Sequence, residues 1–400
     1  MSDTLAFTSG SRLAEWTHGV QPSVLHQAGL AAQRSDSISF ALGMPAPELF
    51  PAEAYTQALT RVLGVRQVTE YGLPSSALTA QIARMMQARG CPCGEERIFV
   101  TAGAQQGLSL IASLFLERGR QIMVEEYSYG GILQVAAPWQ PDVLTVPIDA
   151  ESGLDVEALE QQLQAGARPA FIYTIPLGHN PVGVSLSLEK RHRLVELART
   201  YQVPIIEDDA YGFLSYTDEH LPPLHSLDDE WVFYVGSFSK ILAPGLRVGW
   251  VVMPARFQHL LGAAKNAQDL QTSNITQYAL ASYLEHTSFD DYLTRLRTTY
   301  RERRDSMLAS LRDHFPAGAR WHPPTTGIFV WIELPAEYNI TELARRAPLE
   351  EGVALIPGQA FIVTQPQVYQ ERHIRLNFSH PNSAKIREGI QRLGNLIQRM

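Results

Sequence analysis

Apolar, β-prone runs recur through the middle of the chain, at 98–100, 122–124, 143–146, 171–174, 204–206, 232–235 and 248–253. Apolar residues at helical spacing fill several of the intervals. The clearest case is 105–116, where Leu108, Ile111, Leu114 and Phe115 share a face and Gly119 is placed to end the helix. Nearly continuous apolar strands alternating with helices predict a mostly parallel seven-stranded sheet sandwiched by helices, an α/β fold. Such sheets carry their chemistry at the carboxyl ends of the strands. Beyond about residue 292 the pattern changes to a long charged helix, 292–312, and amphipathic strands at 328–334 and 373–378. This predicts a smaller α+β domain at 293–400, a large domain at 51–292, and an N-terminal arm, 1–50, that packs with the small domain. The arm ends in the Gly/Pro-rich run SFALGMPAP, 39–47, read as a turn or extended segment.

Composition narrows the function class. A net charge of −8 argues against a nucleic-acid or anionic-membrane partner. No apolar run reaches a transmembrane length, and the first residues lack the pattern of a signal peptide, so the chain is expected in the cytoplasm. Cys91 and Cys93 have no second Cys or His cluster beside them and read as loop thiols rather than a metal site.

The segment SFSKILAPGLRVGW, 237–250, lies between two apolar runs. A lysine held there is poorly solvated, and a desolvated lysine near another cation becomes a nucleophile suited to Schiff-base chemistry. Ser237, Ser239 and Arg247 beside Lys240 supply groups that bind a phosphate, which suggests a phosphorylated aldehyde cofactor; the plain alternative is a surface loop. Polar residues after the other strands add to this. The turn at Ala104 and Gln105 opens a helix whose backbone N–H groups form an anion site or are simply capped. Tyr129 either stacks on a flat ring or packs. Asn180, between prolines, either donates to an oxygen or marks a turn. Asp208 either pairs with a protonated pyridine nitrogen or caps a helix, and Tyr211 follows three residues on.

In order, TAGAQQG, EEYSYGG, HNPVG, EDDAYG, SFSK, PGLRVGW and IRLNFS resemble the class I aminotransferases of pyridoxal-phosphate fold type I, with the nearest likeness to the 2-aminoadipate, kynurenine and aromatic subgroup. The resemblance spans residues 20–395 and implies a ping-pong aminotransferase with pyridoxal 5′-phosphate on Lys240 as a Schiff base, acting on amino acid and 2-oxo acid substrates. It implies that Lys240 also shuttles the α-proton, that Asp208 pairs with the ring nitrogen, and that Asn180 and Tyr211 bond the ring oxygen. Tyr129 would stack on the ring, while Ser237, Ser239, Arg247, Ala104 and Gln105 would hold the phosphate. Arg375 would clamp the substrate carboxylate, Gly43 would sit where the arm closes, and Tyr71 would reach the phosphate of a second subunit in a homodimer with shared sites.

Departures from the family pattern are Ala104 in place of a serine, Tyr127 in place of a proline, and Leu-Pro-Ser-Ser-Ala-Leu at 73–78 in the intersubunit loop. At His26 the 2-aminoadipate enzymes carry an arginine; a histidine is a weaker anion clamp and argues against a dicarboxylate substrate. Two rivals stand beside this reading. One is another reaction on the same cofactor, namely elimination, oxidation, cyclisation or decarboxylation, the last disfavoured by Arg375. The other is a cofactor-sensing regulator, for which no DNA-binding domain is seen ahead of the first motif.

Overall fold

A computed structural model describes residues 13–19, 37–72, 74–364 and 371–400. The seven apolar runs form β1 (Ile98–Thr101), β2 (Gln121–Glu125), β3 (Asp142–Val146), β4 (Ile172–Thr174), β5 (Ile205–Asp209), β6 (Val232–Ser237) and β7 (Gly249–Val252). They make one sheet in the order β1-β7-β6-β5-β4-β2-β3. Neighbours from β6 through β3 are parallel, whereas β7 runs antiparallel to both β6 and β1.

Both faces of this sheet are buried because the strands are apolar at successive positions. Met123, Ile172, Ile205 and Val232 enter one core with Leu194 and Ala198 of α2 (Leu188–Tyr201). The residues next along each strand, Val124, Tyr173, Ile206 and Phe233, enter the other core with Leu108 and Ile111 of α1 (Ala104–Phe115). Helix α1 stops at Phe115 with Leu116 already extended, so Gly119 does not terminate it.

A four-stranded antiparallel sheet comprises β8 (Arg320–Trp321), β9 (Phe329–Glu333), β10 (Ile356–Pro357) and β11 (His373–Asn377) in the order β8-β9-β11-β10. Two of these strands, β8 and β10, are two residues long and too short to show an alternation. Helices α3 (Phe289–His314) and α4 (Ser383–Ile397) pack against each other, and α4 also against the paired segments 38–39 and 353–354. The arm is stitched to it by backbone: Ile38 pairs with Val353, and Phe40 bonds to Ala354 and Asn377. Earlier in the arm, Glu15 pairs with the exposed Arg118. No described helix is long and apolar enough to cross a membrane.

The loop between β4 and α2 is fixed from behind by Arg191, which is fully buried. Its guanidinium donates to the carbonyls of Leu186 (2.8 Å), Pro222 (2.9 Å) and Pro176 (2.6 Å), clamping both ends of the loop that carries Asn180. Arg191→Met would remove a buried donor from three carbonyls, of which Pro176 keeps the Leu186 N–H, and urea unfolding is expected to show a loss of about 3 kcal/mol. A midpoint equal to that of the unmodified chain would contradict this role.

Candidate active site

Strand alternation decides where the consecutive carboxylates of β5 go. Glu207 and Asp209 point away from α1. Glu207 accepts from the backbone N–H groups of Leu224 (2.8 Å) and His225 (3.0 Å). Asp209 accepts from Arg89 (3.1 Å) and from the Tyr234 hydroxyl (2.9 Å). Asp208 points to the α1 side, where it is only 4% exposed. Its Oδ2 accepts from the Tyr173 hydroxyl at 2.8 Å, while its buried Oδ1 has no protein partner. Burial raises its pKa to about 7; the Tyr173 bond and Lys240 oppose the shift, and Asp209 adds to it.

Asp208 borders a cavity of about 300 Å³ at the carboxyl end of the sheet. Ser237 ends β6, and Lys240 follows one turn later with its Nζ donating to the Gly43 carbonyl at 2.6 Å. Burial lowers the Lys240 pKa to about 8, assisted by the nearby Arg375 and Arg247 cations and opposed by Asp208. Gly43 permits that approach, since a Cβ there would lie 2.8 Å from the Phe329 ring.

Arg247 reaches the same end of the sheet because β7 is reversed: the residues before this strand sit beside those after its neighbours. Its backbone is left-handed, φ +50°. Its guanidinium donates to Ala102 (3.0 Å) and, at 3.5 Å, to the Ser239 hydroxyl, next to the N-terminus of α1. Gly103, φ +86°, precedes that helix, and a Cβ there would come within 2.4 Å of the guanidinium. Ala104 and Gln105 therefore present their backbone N–H groups beside Arg247, Ser237 and Ser239, and all five residues border the cavity. Tyr129 borders it too, with its hydroxyl donating to Gln105 Oε1 at 3.2 Å.

Arg375 enters from β11 and is 2% exposed. It donates to Asn180 Oδ1 (2.7 Å) and the Ala41 carbonyl (2.5 Å), and its Nε has no partner. Phe329 and Phe361 flank its guanidinium at 4.0 and 4.5 Å. Burial pushes its pKa down to about 9, which leaves it charged at neutral pH. With its side-chain carbonyl turned to Arg375, Asn180 has its NH₂ left for a ligand. Tyr211 is buried against Phe329, and burial raises its pKa.

Of the positions singled out in the sequence, Gly43, Ala104, Gln105, Tyr129, Asn180, Asp208, Tyr211, Ser237, Ser239, Lys240, Arg247 and Arg375 all border this cavity. Tyr71 does not: it stands 85% exposed on the surface. His26 lies outside the described residues. Sequence reasoning missed Tyr173 and the two rings around Arg375. Tyr173 could have been found from its place on the same strand face as Asp208; the rings lie on separate elements and left no local signal.

The cavity's residues fit pyridoxal phosphate. Asp208 Oδ1 is an unsatisfied buried acceptor for a ring N–H, the helix N-terminus with Arg247 suits a phosphate, and Arg375 is a buried cation with no carboxylate partner among the described residues.

Residues 38–393 match the family model described as aminotransferase class I and II. The aromatic-amino-acid aminotransferase 1 of Thermococcus litoralis is 36% identical over 95% of this chain and 92% of its own length. The 2-aminoadipate transaminase of Thermus thermophilus is 36% identical, covering 95% of this chain and 94% of the relative. The crystal structure of Pyrococcus horikoshii kynurenine aminotransferase, in complex with PMP, superimposes with a TM-score of 0.89 at 31% identity over 97% of both chains. A family match across nearly all of the chain, with relatives matched along most of theirs, shows that it belongs to the class I and II aminotransferases, pyridoxal-phosphate-dependent enzymes of fold type I.

Proposed function

We propose that this chain moves an amino group from an L-amino acid to a 2-oxo acid in two ping-pong half-reactions, with Lys240 as the amine that holds the cofactor and carries the proton. One observation carries the reading: a half-buried lysine and a buried, half-satisfied carboxylate face one cavity in which cations outnumber acids. Bound there, pyridoxal phosphate supplies an aldehyde that condenses with amines and a ring that withdraws electrons from the substrate Cα.

The residues divide that work. Asp208 Oδ1 accepts the ring N–H. Asn180 and Tyr211 bond the ring oxygen, and Tyr129 covers a ring face. Ser237, Ser239, Arg247 and the backbone at Ala104 and Gln105 hold the phosphate. Arg375 takes the substrate α-carboxylate as a two-pronged fork, which fixes which Cα–H faces Lys240. Lys240 Nζ would take up that proton and release it again. The arm at Gly43 closes over the substrate, between a large unit, 51–292, and a small one, 293–400. The free thiols Cys91 and Cys93 agree with a reducing, cytoplasmic setting.

The functional unit we propose is a homodimer. Tyr71, Leu63, Val65, Leu270 and Ile275 are exposed, and their segments are tied by Gly72 N–H donating to Gln271 and by Asn274 donating to the Gln67 and Glu70 carbonyls. These residues form an apolar face that a second copy would cover, with Tyr71 reaching the partner's phosphate site.

Lys240→Ala is expected to retain the cofactor yet slow amino transfer by about 10²–10⁴-fold or more, read as loss of cofactor absorbance when amino acids are mixed with the protein. Rapid repeated turnover would sink the assignment. In the cofactor-free chain the lowered Lys240 pKa makes the neutral, attacking amine available from about pH 8 rather than near 10.5. Arg375→Gln removes a neighbouring cation, so the midpoint of cofactor uptake against pH should rise; an unmoved midpoint would deny that coupling. For the dimer, Leu270→Glu is expected to give monomers by light scattering with weakened cofactor binding. Monomers that bind the cofactor as tightly as the unmodified chain would contradict shared sites.

A further inference from the structure

Tyr173 lies on β4 in register with Ile206 of β5, so it shares a sheet face with Ile206 and with Asp208 two residues on. It is 1% exposed, and its hydroxyl donates to Asp208 Oδ2 at 2.8 Å. A carboxylate turns about a single terminal bond, so holding one oxygen fixes where the other points. The other oxygen, Oδ1, is buried and unpaired, and Asp208 borders the cavity.

We infer that Tyr173 is a positioning residue for Asp208: by holding Oδ2 it aims Oδ1 at the ring nitrogen of the bound cofactor. This rests on the role given to Asp208 above. The same bond favours the ionised carboxylate, because a hydroxyl donates to the anion better than to the acid. The charged groups around Asp208 make that support consequential. Asp209, Glu125 and Tyr129 disfavour its ionisation or share its field, and Lys240 is the cation that opposes them. Tyr211 also faces it across the same cavity.

The sheet supplies an internal comparison. Tyr234 donates to Asp209 Oδ2 at 2.9 Å, an equivalent buried tyrosine–carboxylate bond, but Asp209 also has Arg89 and does not border the cavity. A tyrosine that merely satisfies a buried acid should behave the same in both places.

The experiment measures the dissociation constant of pyridoxal phosphate from the full chain across pH 5.5 to 9, for the unmodified protein, Tyr173→Phe, Tyr234→Phe and Asp208→Asn. The cofactor phosphate and Lys240 titrate in every sample, so differences between variants isolate Asp208. Without the hydroxyl Asp208 takes up a proton more readily. Tyr173→Phe is therefore expected to move the acid limb of binding upward by about one pH unit, roughly tenfold weaker binding on that limb, with affinity approaching the unmodified value near pH 9. Tyr234→Phe should leave the limb in place.

A limb unmoved in Tyr173→Phe, or an equal loss of affinity at every pH, overturns the inference while leaving the Asp208 assignment standing. A normal acid limb in Asp208→Asn overturns both. Should Tyr173→Phe not fold, 3-fluorotyrosine at position 173 alone, a stronger donor of the same shape, is expected to move the limb downward. An unmoved or raised limb there overturns the inference equally.

Discussion

Burying a carboxylate at the end of a central strand is costly unless donors meet it, and that constraint organises this end of the molecule. Strand β5 delivers consecutive acids into the interior, and the structure treats them unequally. Glu207 takes a backbone N–H group on each oxygen, whereas Asp209 takes Arg89 and Tyr234 on Oδ2 and leaves its Oδ1 bare. Asp208 also has one oxygen satisfied and one left bare, and it alone of the three borders the cavity. Glu207 and Asp209 belong to the architecture. Asp208 is held in a state that favours a cationic N–H partner at the cavity wall.

Chain direction supplies the rest of the geometry. Parallel strands bring Asp208, Ser237, Asn180 and Tyr129 to one edge because all lie at or beyond carboxyl ends. A further parallel strand would have carried Arg247 to the opposite edge. The reversal of β7 returns it, and the residues that allow the close packing are glycines. A Cβ at Gly103 would meet Arg247 at 2.4 Å, and one at Gly249 would meet the Gly103 backbone at 2.7 Å. The end of the cavity at Arg375 is built differently, by a guanidinium from a separate sheet lying between two rings.

This division explains what could be read from the chain. The strands were legible because each is an apolar run buried on both faces, and the residues just past them were legible because parallel sheets collect chemistry there. The reversal of β7 leaves no trace in its composition, since an antiparallel central strand is as apolar as a parallel one. Strands β8 and β10 are too short for an alternation, and Phe329 and Phe361 are ordinary core aromatics until Arg375 arrives between them. Tyr173 is intermediate: its face follows from register, but its partner follows only from the fold. Tyr71 stands at the surface of the single chain, away from the cavity.

The cations of the cavity show how it accommodates a ligand that is mostly negative. Lys240 rests on the Gly43 carbonyl, Arg247 on the Ala102 carbonyl, and Arg375 on Asn180 and the Ala41 carbonyl. Every one of these acceptors is neutral. Asp208 is the nearest acid, and Tyr173 already occupies one of its oxygens. A phosphate or α-carboxylate entering the site would therefore exchange bonds from a cation to a neutral carbonyl for bonds from a cation to an anion, and would break no ion pair to do so. Had Arg375 been paired with a protein carboxylate, substrate would have had to displace a charge of its own sign. Keeping the cations on carbonyls holds them in place without competing for the anions they are positioned to receive.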